Sequence, residues 1–435
     1  MRLLFLTPGY PPLLGGGEAY VSELAHEMAR RGHEVTVVTS TLRQPGDYWR
    51  GVGGSPRREV DEAGVTVVRL PVRRARFGRS GLLLVRKGMV LLSACGAWSV
   101  DLLRRGSKSF PAIVDIDEAL ASLPVPDLVH SFNVSWERCV IAGQRLAKAT
   151  GVPHVITPFL HGSPDSQRRI WRNNAMWHQS QALAEAAAVL ALAASEQHSL
   201  ESLGVSPKRI HTVGAAVSHQ PGFDGVVPDA GVISALAGSA QPMVLFVGRA
   251  CRDKGALVTM KAVDYLHREG APCQLTLAGH PSRQAMRMAR TLRRRGVPIH
   301  LLGPVNEGTK RWLLTKCVAL ALPSRTDSFG LVLLEAWQHG KPVVVADVGG
   351  PRDVVEDGVD GLRVPWGDAS ALADALRRLL HDAPLCEALG AAGRSKAQSV
   401  YSWPAVADRV ESAYRVVLAA RRQVAQRPGA TVDRP

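Results

Sequence analysis

The stretch PSRTDSFGLVLLEA, residues 323–336, lies between two short apolar runs, Val318–Leu322 and Pro342–Ala346. Both runs have the length and the β-branched content of buried strands, whereas the apolar spacing after Gly330 is typical of a helix. The polar residues 324–328 form the turn between the first strand and that helix. A strand, a helix and a second strand in this order predict a parallel pair of strands, and therefore an α/β fold.

The same alternation extends outward from this stretch and occurs in two successive rounds. In the first round, strands are predicted at Leu3–Thr7, Val35–Thr39, Val65–Arg69, Leu128–Ser131, His154–Thr157, Ala188–Leu192 and Ile210–Val213. In the second round, they are predicted at Met243–Val247, Gln274–Ala278, Ile299–Leu302, Val318–Leu322 and Pro342–Ala346. Helices are predicted at Tyr20–Arg30, Trp136–Ala149, Ala256–Arg268, Arg283–Arg295, Glu307–Leu314 and Leu331–His339. Two rounds of this pattern predict two doubly wound, Rossmann-like domains.

The length of the chain supports two domains, because 435 residues exceed the roughly 250–300 residues at which single cores stop growing. The predicted organisation is an N-terminal domain over 1–218, a linker over 219–230, a second domain over 231–402, a helix over 403–420 and a flexible tail over 421–435. The helix is long enough to pack back on the first domain. Ligands bind at the carboxyl ends of parallel strands, so we expect the functional residues in the loops that follow them.

Two carboxylates in the opening stretch are the strongest candidates for a binding site. Asp327 lies in the polar turn, where it can reach a sugar hydroxyl, and Glu335 lies one to two turns into the helix, where it can accept hydrogen bonds from a ribose diol. The helix begins near Gly330, and the backbone N–H groups at a helix start suit a phosphate or a sugar hydroxyl. An ordinary helix cap and a surface glutamate are the structural alternative.

The whole string resembles the signature of a known family. An acidic residue, seven further residues and then Glu, within P-S-x-x-[DE]-x-F-G-L-x-x-x-E-A and followed by G-K-P-V-V at 340–344, is similar to the donor site of glycosyltransferase family four. The resemblance extends from the first residue to about Leu418. It implies retaining enzymes with the GT-B fold, in which two Rossmann-like domains face each other across a cleft and a C-terminal helix crosses back.

The resemblance also assigns roles to individual residues of this string. It implies that Glu335 binds the ribose, that Asp327 contacts the donor sugar, and that the donor lies against the turn formed by Phe329, Gly330 and Leu331. The first acid of the family pattern is more usually Glu. The aspartate found here shortens the side chain by one methylene group.

A second motif, GRACRDKG at 248–255, directly follows the predicted strand Met243–Val247. It resembles the family pattern G-R-x-x-x-x-K-G, which assigns Arg249 and Lys254 to the diphosphate of the donor. Fixed cations at that position stabilise the negative charge that develops on a leaving nucleoside diphosphate. Taken alone, the two cations could equally form a surface cluster.

A third motif is the glycine-rich loop after the first strand, residues 8–18. It lacks the G-x-G-x-x-G spacing and the Walker pattern, so it is not a dinucleotide fingerprint. The resemblance places Gly16 and Gly17 opposite the donor phosphates and the acceptor, with a flexible turn as the alternative. It also implies that His161, shortly after the strand His154–Thr157, contacts the donor sugar, with a capping histidine as the alternative.

Three other features are weaker candidates for a functional role or are interpreted as structural. His130 and Asn133, near the end of the strand Leu128–Ser131, are weaker cleft candidates. The D-x-D at 115–117 precedes a clear strand and is interpreted as a solvated acidic turn, with metal binding as the alternative. A row of arginines is interpreted as the exposed face of one helix: Arg283, Arg287, Arg290, Arg293, Arg294 and Arg295.

The net charge of +15 is concentrated in part at residues 69–110, which contain ten Arg or Lys and one acid, Asp101. Basic residues there flank apolar ones, a combination that suits an anionic membrane surface or an acidic acceptor. A solvated surface is the alternative. Nucleic acid is not expected, because aromatic content is only 5% and no recognition motif is present.

The expected location is cytoplasmic, and a peripheral position at the inner membrane face is the second option. The first residues are predicted to form a strand and not a signal peptide, and no apolar run reaches the ~20 residues of a spanning helix. Six cysteines are scattered without a C-x-x-C pair, which favours reduced thiols over disulfides or zinc.

Together these features and the resemblance imply a retaining glycosyltransferase that moves a hexosyl group from a UDP- or GDP-linked sugar to a hydroxyl of an unidentified acceptor. The basic segment favours a lipid-linked or membrane-proximal acceptor, with a soluble metabolite as the alternative. No cofactor is expected, and no metal, because two cations already face the diphosphate. The alternative is a non-catalytic or otherwise diverged nucleotide-sugar-binding protein on the same fold. A related epimerase or phosphorylase is disfavoured.

Overall fold

The computed structural model describes residues 1–13, 15–44, 46–160, 162, 168–218, 226–238 and 240–425. The chain forms two compact units. The N-terminal unit contains residues 1–214 and the helix that begins at Trp403, and the C-terminal unit contains Ala215–Ser402. Most of the predicted linker, 219–225, and the end of the predicted tail, 426–435, lie outside the described residues.

The N-terminal unit is built on an eight-stranded sheet. Its strands are β1 (Arg2–Leu6), β2 (Glu34–Ser40), β3 (Arg57–Val60), β4 (Thr66–Leu70), β5 (Leu128–Phe132), β6 (His154–Thr157), β7 (Ala188–Ala191) and β8 (Ile210–Thr212). Their order is β3-β4-β2-β1-β5-β6-β7-β8. All neighbouring strands are parallel except β3, which pairs antiparallel with β4 at the edge. The chain therefore reverses its direction across the sheet between β1 and β5, which is the switch point of a doubly wound fold.

Helices cover both faces of this sheet, as a sheet with fully buried central strands requires. They are α1 (Gly16–Arg30), α2 (Asp47–Arg50), α3 (Gly78–Ala94), α4 (Val100–Ser107), α5 (Ile116–Ala121), α6 (Arg138–Thr150), α7 (Arg168–Trp171), α8 (Trp177–Glu185) and α9 (Ser195–Ser202). Short 3-10 helices lie at Ala97–Ser99, Val134–Trp136 and Pro207–Arg209. Strand β5 has all five residues buried, which explains why its run LVHSF is mostly apolar.

The C-terminal unit is built on a six-stranded sheet. Its strands are β9 (Met243–Val247), β10 (Gln274–Ala278), β11 (Ile299–Gly303), β12 (Ala319–Leu322), β13 (Val343–Ala346) and β14 (Gly361–Val364). Their order is β11-β10-β9-β12-β13-β14, and every neighbouring pair is parallel. The switch point of this sheet therefore lies between β9 and β12, and we expect ligands there.

Eight helices of the described residues accompany this sheet. They are α10 (Ala230–Ala237), α11 (Ala256–Arg268), α12 (Arg283–Arg293), α13 (Glu307–Lys316), α14 (Leu331–Gln338), α15 (Gly349–Val354), α16 (Ala369–His381) and α17 (Ala383–Ser399), of which α10 precedes the first strand. The apolar faces of α11, α12 and α16 pack against the sheet in one core around the buried side chains of Phe246, Leu275 and Leu277.

The last helix, α18 (Trp403–Ala425), packs on the N-terminal unit. Arg31 at the end of α1 donates to the carboxylates of Asp408 and Glu411 at 2.7 and 3.1 Å. The Tyr414 hydroxyl lies 2.6 Å from the Nδ1 atom of His130 in the buried strand β5. These contacts fix the end of the chain against the first half of the sequence. Among the described residues no helix is both long and apolar enough to cross a membrane.

Candidate functional site

Two loops meet at the switch point of the C-terminal sheet, one after β9 (residues 248–255) and one after β12 (residues 323–330). Gly255 has φ +88°, and a Cβ atom on it would lie 2.3 Å from the carbonyl oxygen of Pro323. Only glycine allows this close approach. The backbone N–H of Arg325 donates to the carbonyl of Asp253 at 3.1 Å and joins the loops a second time. Residues from the two predicted motifs are thus held side by side.

An ion pair between Lys254 and Asp327 connects the two motifs. The Nζ atom of Lys254 donates to Oδ1 of Asp327, and both side chains are mostly buried. A second pair lies beside it, in which the guanidinium of Arg325 donates to the Asp253 carboxylate at 2.7 and 3.2 Å and covers the ring of Trp366. The ammonium group of Lys254 has three N–H donors, so the ion pair leaves donors for a ligand.

Glu335 is part of a different ion pair on α14. Its carboxylate accepts a hydrogen bond from the Nζ atom of Lys310 at 2.8 Å, and Lys310 also lies 2.9 Å from Glu307. Burial lowers the pKa of Lys310, but the two carboxylates outweigh that effect and raise it above its ordinary value. Lys310 was not predicted from the sequence. Its only signal is the spacing of three residues from Glu307 on one helix, which is common on exposed helices.

The turn before α14 presents backbone to a ligand. Gly330 has φ +92° and precedes the first residue of the helix, Leu331. The ring of Phe329 is buried and packs edge-on against Tyr401, with 5.2 Å between the ring centroids. The predicted donor contact of Phe329 is therefore restricted to its backbone. Gly350, after β13, closes the other side of the turn, because its N–H donates to the carbonyl of Asp327 at 3.2 Å.

Arg249 is exposed to solvent, unlike Lys254. It follows the β9 strand by two residues, and its neighbour Ala250 donates to the carbonyl of His280 at 2.9 Å, which fixes the loop backbone. Arg252, in the same loop, is also exposed. In this structure Lys254 is a positioned cation, whereas Arg249 has the freedom to move toward a ligand.

In the N-terminal unit, the glycine-rich loop folds around Glu18. A Cβ atom on Gly15 would lie 2.2 Å from Oε2 of Glu18, and one on Gly9 would lie 2.9 Å from Oε1. Burial raises the pKa of the Glu18 carboxyl, although a hydrogen bond from its own backbone opposes this. Gly16 and Gly17 form the first turn of α1, and a Cβ atom on Gly17 would lie 3.3 Å from the ring of Phe159. The loop is therefore packed on its own side chains.

The three remaining candidate residues of this unit have different outcomes. His161 lies outside the described residues. His130 is fully buried between the Tyr414 hydroxyl and Thr157, so the suggestion of a cleft histidine is wrong. Burial and, to a smaller extent, the nearby His154 lower the pKa of His130 well below its ordinary value, so the ring is neutral. Asn133 caps a 3-10 helix by accepting from the N–H groups of two residues that follow it.

The acidic D-x-D, predicted to be a solvated turn, lies on the surface at the start of helix α5. Asp115 begins α5, and Asp117 accepts hydrogen bonds from Arg138 and Arg145 at 3.0 and 3.5 Å. Within the part of the chain that the structure describes, no three His, Cys, Asp or Glu side chains are arranged to share a metal ion. The six arginines of α12 and its C-terminal end are all exposed, as predicted.

A cavity of about 260 Å³ lies at the carboxyl end of β2, beside the glycine-rich loop. Its lining includes the side chains of Arg43, Arg57, Glu59 and Arg69. Arg69 donates to Glu59 at 2.7 Å and to the carbonyl of Pro11 at 2.6 Å, which connects the cavity wall to the loop. Three arginines and one glutamate give this cavity a net positive charge.

Two families of known proteins match the chain. Residues 15–216 match the family described as "Glycosyl transferase 4-like domain", and residues 241–382 match "Glycosyl transferases group 1". An alpha-D-kanosaminyltransferase of Streptomyces kanamyceticus is 28% identical over 62% of this chain and 72% of its own length.

Solved structures show the same fold. The Anabaena protein HepE in complex with UDP-glucose has a TM-score of 0.65 at 16% identity, over 96% of this chain and all of that chain. The catalytic domain of starch synthase IV from Arabidopsis thaliana, bound to ADP and acarbose, has a TM-score of 0.68 at 15% identity, over 96% and 99%. With these matches, the predicted signature and the two doubly wound sheets, the chain belongs to glycosyltransferase family four and has the GT-B fold.

Proposed function

We propose that this glycosyltransferase transfers a hexosyl group from a UDP- or GDP-linked sugar to a hydroxyl of its acceptor, with retention of configuration at the anomeric carbon. The observation that carries the donor half of this proposal is the ion pair of Lys254 and Asp327 at the switch point of the C-terminal sheet. HepE and starch synthase IV, which share the fold, were solved with UDP-glucose and ADP, and this supports a nucleotide-linked donor.

In the proposed reaction, Lys254 and Arg249 bind the diphosphate and stabilise its charge as the glycosidic bond breaks. Each cation at ~4 Å contributes an interaction of about 4 kcal/mol at an effective dielectric constant near 20, before desolvation costs. Glu335 accepts from the ribose hydroxyls, and Asp327 accepts from the donor sugar while it orients Lys254. Because two cations neutralise the leaving group, the proposal includes no metal ion or other cofactor.

Retention is proposed to occur by attack on the face that the leaving group vacates. This path needs no protein nucleophile, whereas a double displacement needs two carboxyl groups about 5 Å apart, flanking the bond. His161 and the glycine-rich loop are proposed to contact the sugar from the acceptor side. The acceptor itself is proposed to be lipid-linked or membrane-proximal, because of the basic and apolar surface of the N-terminal unit.

A thermal-shift panel of UDP, GDP, ADP and TDP, each with and without magnesium, tests the donor site. A nucleotide at 100 times its dissociation constant stabilises the folded protein by about 2.7 kcal/mol, which gives a clear shift of the melting temperature. We expect one nucleotide to give this shift equally with and without magnesium. Lys254→Ala should abolish the shift and also the slow hydrolysis of the corresponding nucleotide sugar.

Arg252→Ala is the matched control, because Arg252 is an exposed cation of the same loop without an assigned role. It should respond to the nucleotide as the wild type does. A normal shift in Lys254→Ala, or an equal loss in both variants, would show that the donor diphosphate binds elsewhere. Nucleotide binding without transfer or hydrolysis of any nucleotide sugar would instead favour a binding protein.

A further inference from the structure

Helix α3 and the segment around it expose large apolar side chains to solvent. Six of them are at least 46% exposed, and they occur within 26 consecutive residues of the N-terminal unit: Phe77 (80%), Leu83 (53%), Leu84 (68%), Leu91 (72%), Trp98 (68%) and Leu102 (46%). Large apolar side chains scattered singly on a surface need no explanation, but a group of six on one short segment does. We call this group, with the cations around it, the α3 surface.

The inner face of α3 is fixed to the unit, so these side chains cannot turn inward. Leu82 and Met89 are buried in a small core with Leu103 and Phe110. Arg86 extends inward, donates to both carboxylate oxygens of Glu137 at 3.0 and 2.9 Å, and covers the ring of Phe110. Because residues seven positions apart share one face of a helix, Leu84 and Leu91 lie together on the opposite side.

The cations of the α3 surface lie close in sequence to its apolar side chains. Seven exposed basic residues flank or interrupt the apolar ones: Arg73, Arg74, Arg76, Arg79, Lys87, Arg105 and Lys108. Arg86, one of the basic residues of 69–110 that the sequence analysis interpreted as flanking the apolar ones, is not among them, since its charge is neutralised by Glu137. Within residues 69–110 the single acid is Asp101. The surface is therefore strongly positive and apolar at once.

We propose that the α3 surface docks on a bilayer that contains anionic phospholipids. Such a bilayer offers phosphate and carboxylate groups to the cations, and it offers acyl chains to side chains as long as Leu and Trp. An acidic soluble partner would satisfy the charge but would leave the leucines in water. A neutral bilayer would accept the leucines but would offer no net negative charge to the seven cations.

Helix α12 provides an internal comparison. It carries the row of exposed arginines, yet among its described residues only one large apolar side chain is exposed, Met286 at 36%. It has the charge of the α3 surface without its apolar component. If charge alone governed binding to a membrane, the two surfaces would contribute equally.

The test is sedimentation of the full chain with vesicles of neutral phosphatidylcholine alone or of a mixture with anionic phosphatidylglycerol. We expect binding to the anionic vesicles and little binding to the neutral ones. The charge variant Arg74→Gln/Arg76→Gln/Lys87→Gln should weaken binding about 100-fold, since each cation near an anionic surface contributes roughly a factor of five. The variant Leu84→Ser/Leu91→Ser should weaken it at least tenfold, because it removes two side chains that would insert.

The control variant Arg283→Gln/Arg287→Gln/Arg290→Gln removes three charges from α12 and should bind the vesicles within threefold of the wild type. Equal losses in the α3 and α12 charge variants, or unchanged binding of the leucine variant, would overturn the proposal. Binding to the neutral vesicles as strong as to the anionic ones would overturn it too. All variants change exposed residues that have no role in the proposed donor site, so an unchanged nucleotide-induced thermal shift shows that each is folded.

Discussion

Replacing Glu335 with glutamine separates a role in ligand binding from a role in folding. In the unliganded protein the Glu335 carboxylate accepts from Lys310 at 2.8 Å, and Lys310 has a second carboxylate, Glu307, at 2.9 Å. Glu335→Gln therefore leaves Lys310 with a charged partner. Because no cation is left buried and unpaired, we expect the free energy of unfolding to fall by only about 1 kcal/mol, as for a partly exposed ion pair.

The loss of nucleotide affinity should be larger than the loss of stability. A ribose diol bound by a carboxylate forms two charge-assisted hydrogen bonds, and such bonds contribute about 1 kcal/mol more each than neutral ones. A glutamine at position 335 can still accept hydrogen bonds, but only neutral ones. The expected difference of about 2 kcal/mol corresponds to a dissociation constant roughly 30 times higher, since 1.4 kcal/mol is a factor of ten.

Isothermal titration with the nucleoside diphosphate that gives the largest thermal shift measures this change, and urea denaturation measures stability. Glu307→Gln is the matched control, because it removes the other carboxylate from Lys310 and leaves Glu335 in place. It should change the dissociation constant by less than twofold. Wild-type affinity in Glu335→Gln, or a stability loss of several kcal/mol with no loss of affinity, would refute the ribose assignment and leave Glu335 as a structural residue.

Two further predictions concern buried groups of the N-terminal unit. Burial lowers the pKa of His154 to about 3, whereas the pKa in the unfolded chain is about 6.5. Between these two pH values the unfolded chain binds a proton at this histidine and the folded chain does not. The free energy of unfolding therefore falls as the pH falls. At pH 5 this effect lowers the free energy of unfolding by about 2 kcal/mol. In His154→Gln, the free energy of unfolding measured by urea denaturation should therefore fall by about 2 kcal/mol less between pH 7 and pH 5 than in the wild type. The same fall in both proteins would contradict this prediction. Arg86→Met leaves the fully buried Glu137 without its guanidinium and should destabilise the protein by about 3–5 kcal/mol in the same assay, while adding Glu137→Gln should restore most of the loss. A loss below 1 kcal/mol in Arg86→Met would show that the pair contributes little.

The fold could be predicted wherever a strand is buried on both faces. Strands β9 and β10 begin and end at the predicted residues. Strand β9, MVLFV, is an uninterrupted apolar run, and β10, QLTLA, is buried at all five residues. Strand β3 was missed because its sequence, RREV, is exposed at all four residues and shows no apolar pattern. It is an edge strand that is specified by its pairing with β4, and no local sequence signal encodes that partner. Strand β14 is an exception among the buried strands, because it has only four residues and an arginine interrupts its apolar run, so it was missed for a different reason.

The sequence could predict individual residues of the candidate site, but it could not predict the contacts between them. Lys254 and Asp327 were each placed after a strand, yet their ion pair depends on β9 and β12 being neighbours, which the sequence does not state. Arg86 was interpreted as a surface cation, because its partner Glu137 lies 51 residues away. The two partners of such a long-range ion pair do not occur at a regular spacing in the sequence, so no sequence pattern identifies them. Only the packing of one helix on another brings them together.

The contacts between the two C-terminal loops explain how the site can exist before a ligand arrives. The loops are joined by the close approach of Gly255 to Pro323, by a backbone hydrogen bond from Arg325 to Asp253 and by two ion pairs. A ligand that binds loops already held in place does not have to offset the entropy of ordering them. The ion pair with Asp327 uses one of the three donors of Lys254, so it fixes the direction of the ammonium group and leaves two donors available. In the proposed donor site, folding therefore supplies the energy that holds these side chains, and the binding energy of a nucleotide would remain for affinity and catalysis.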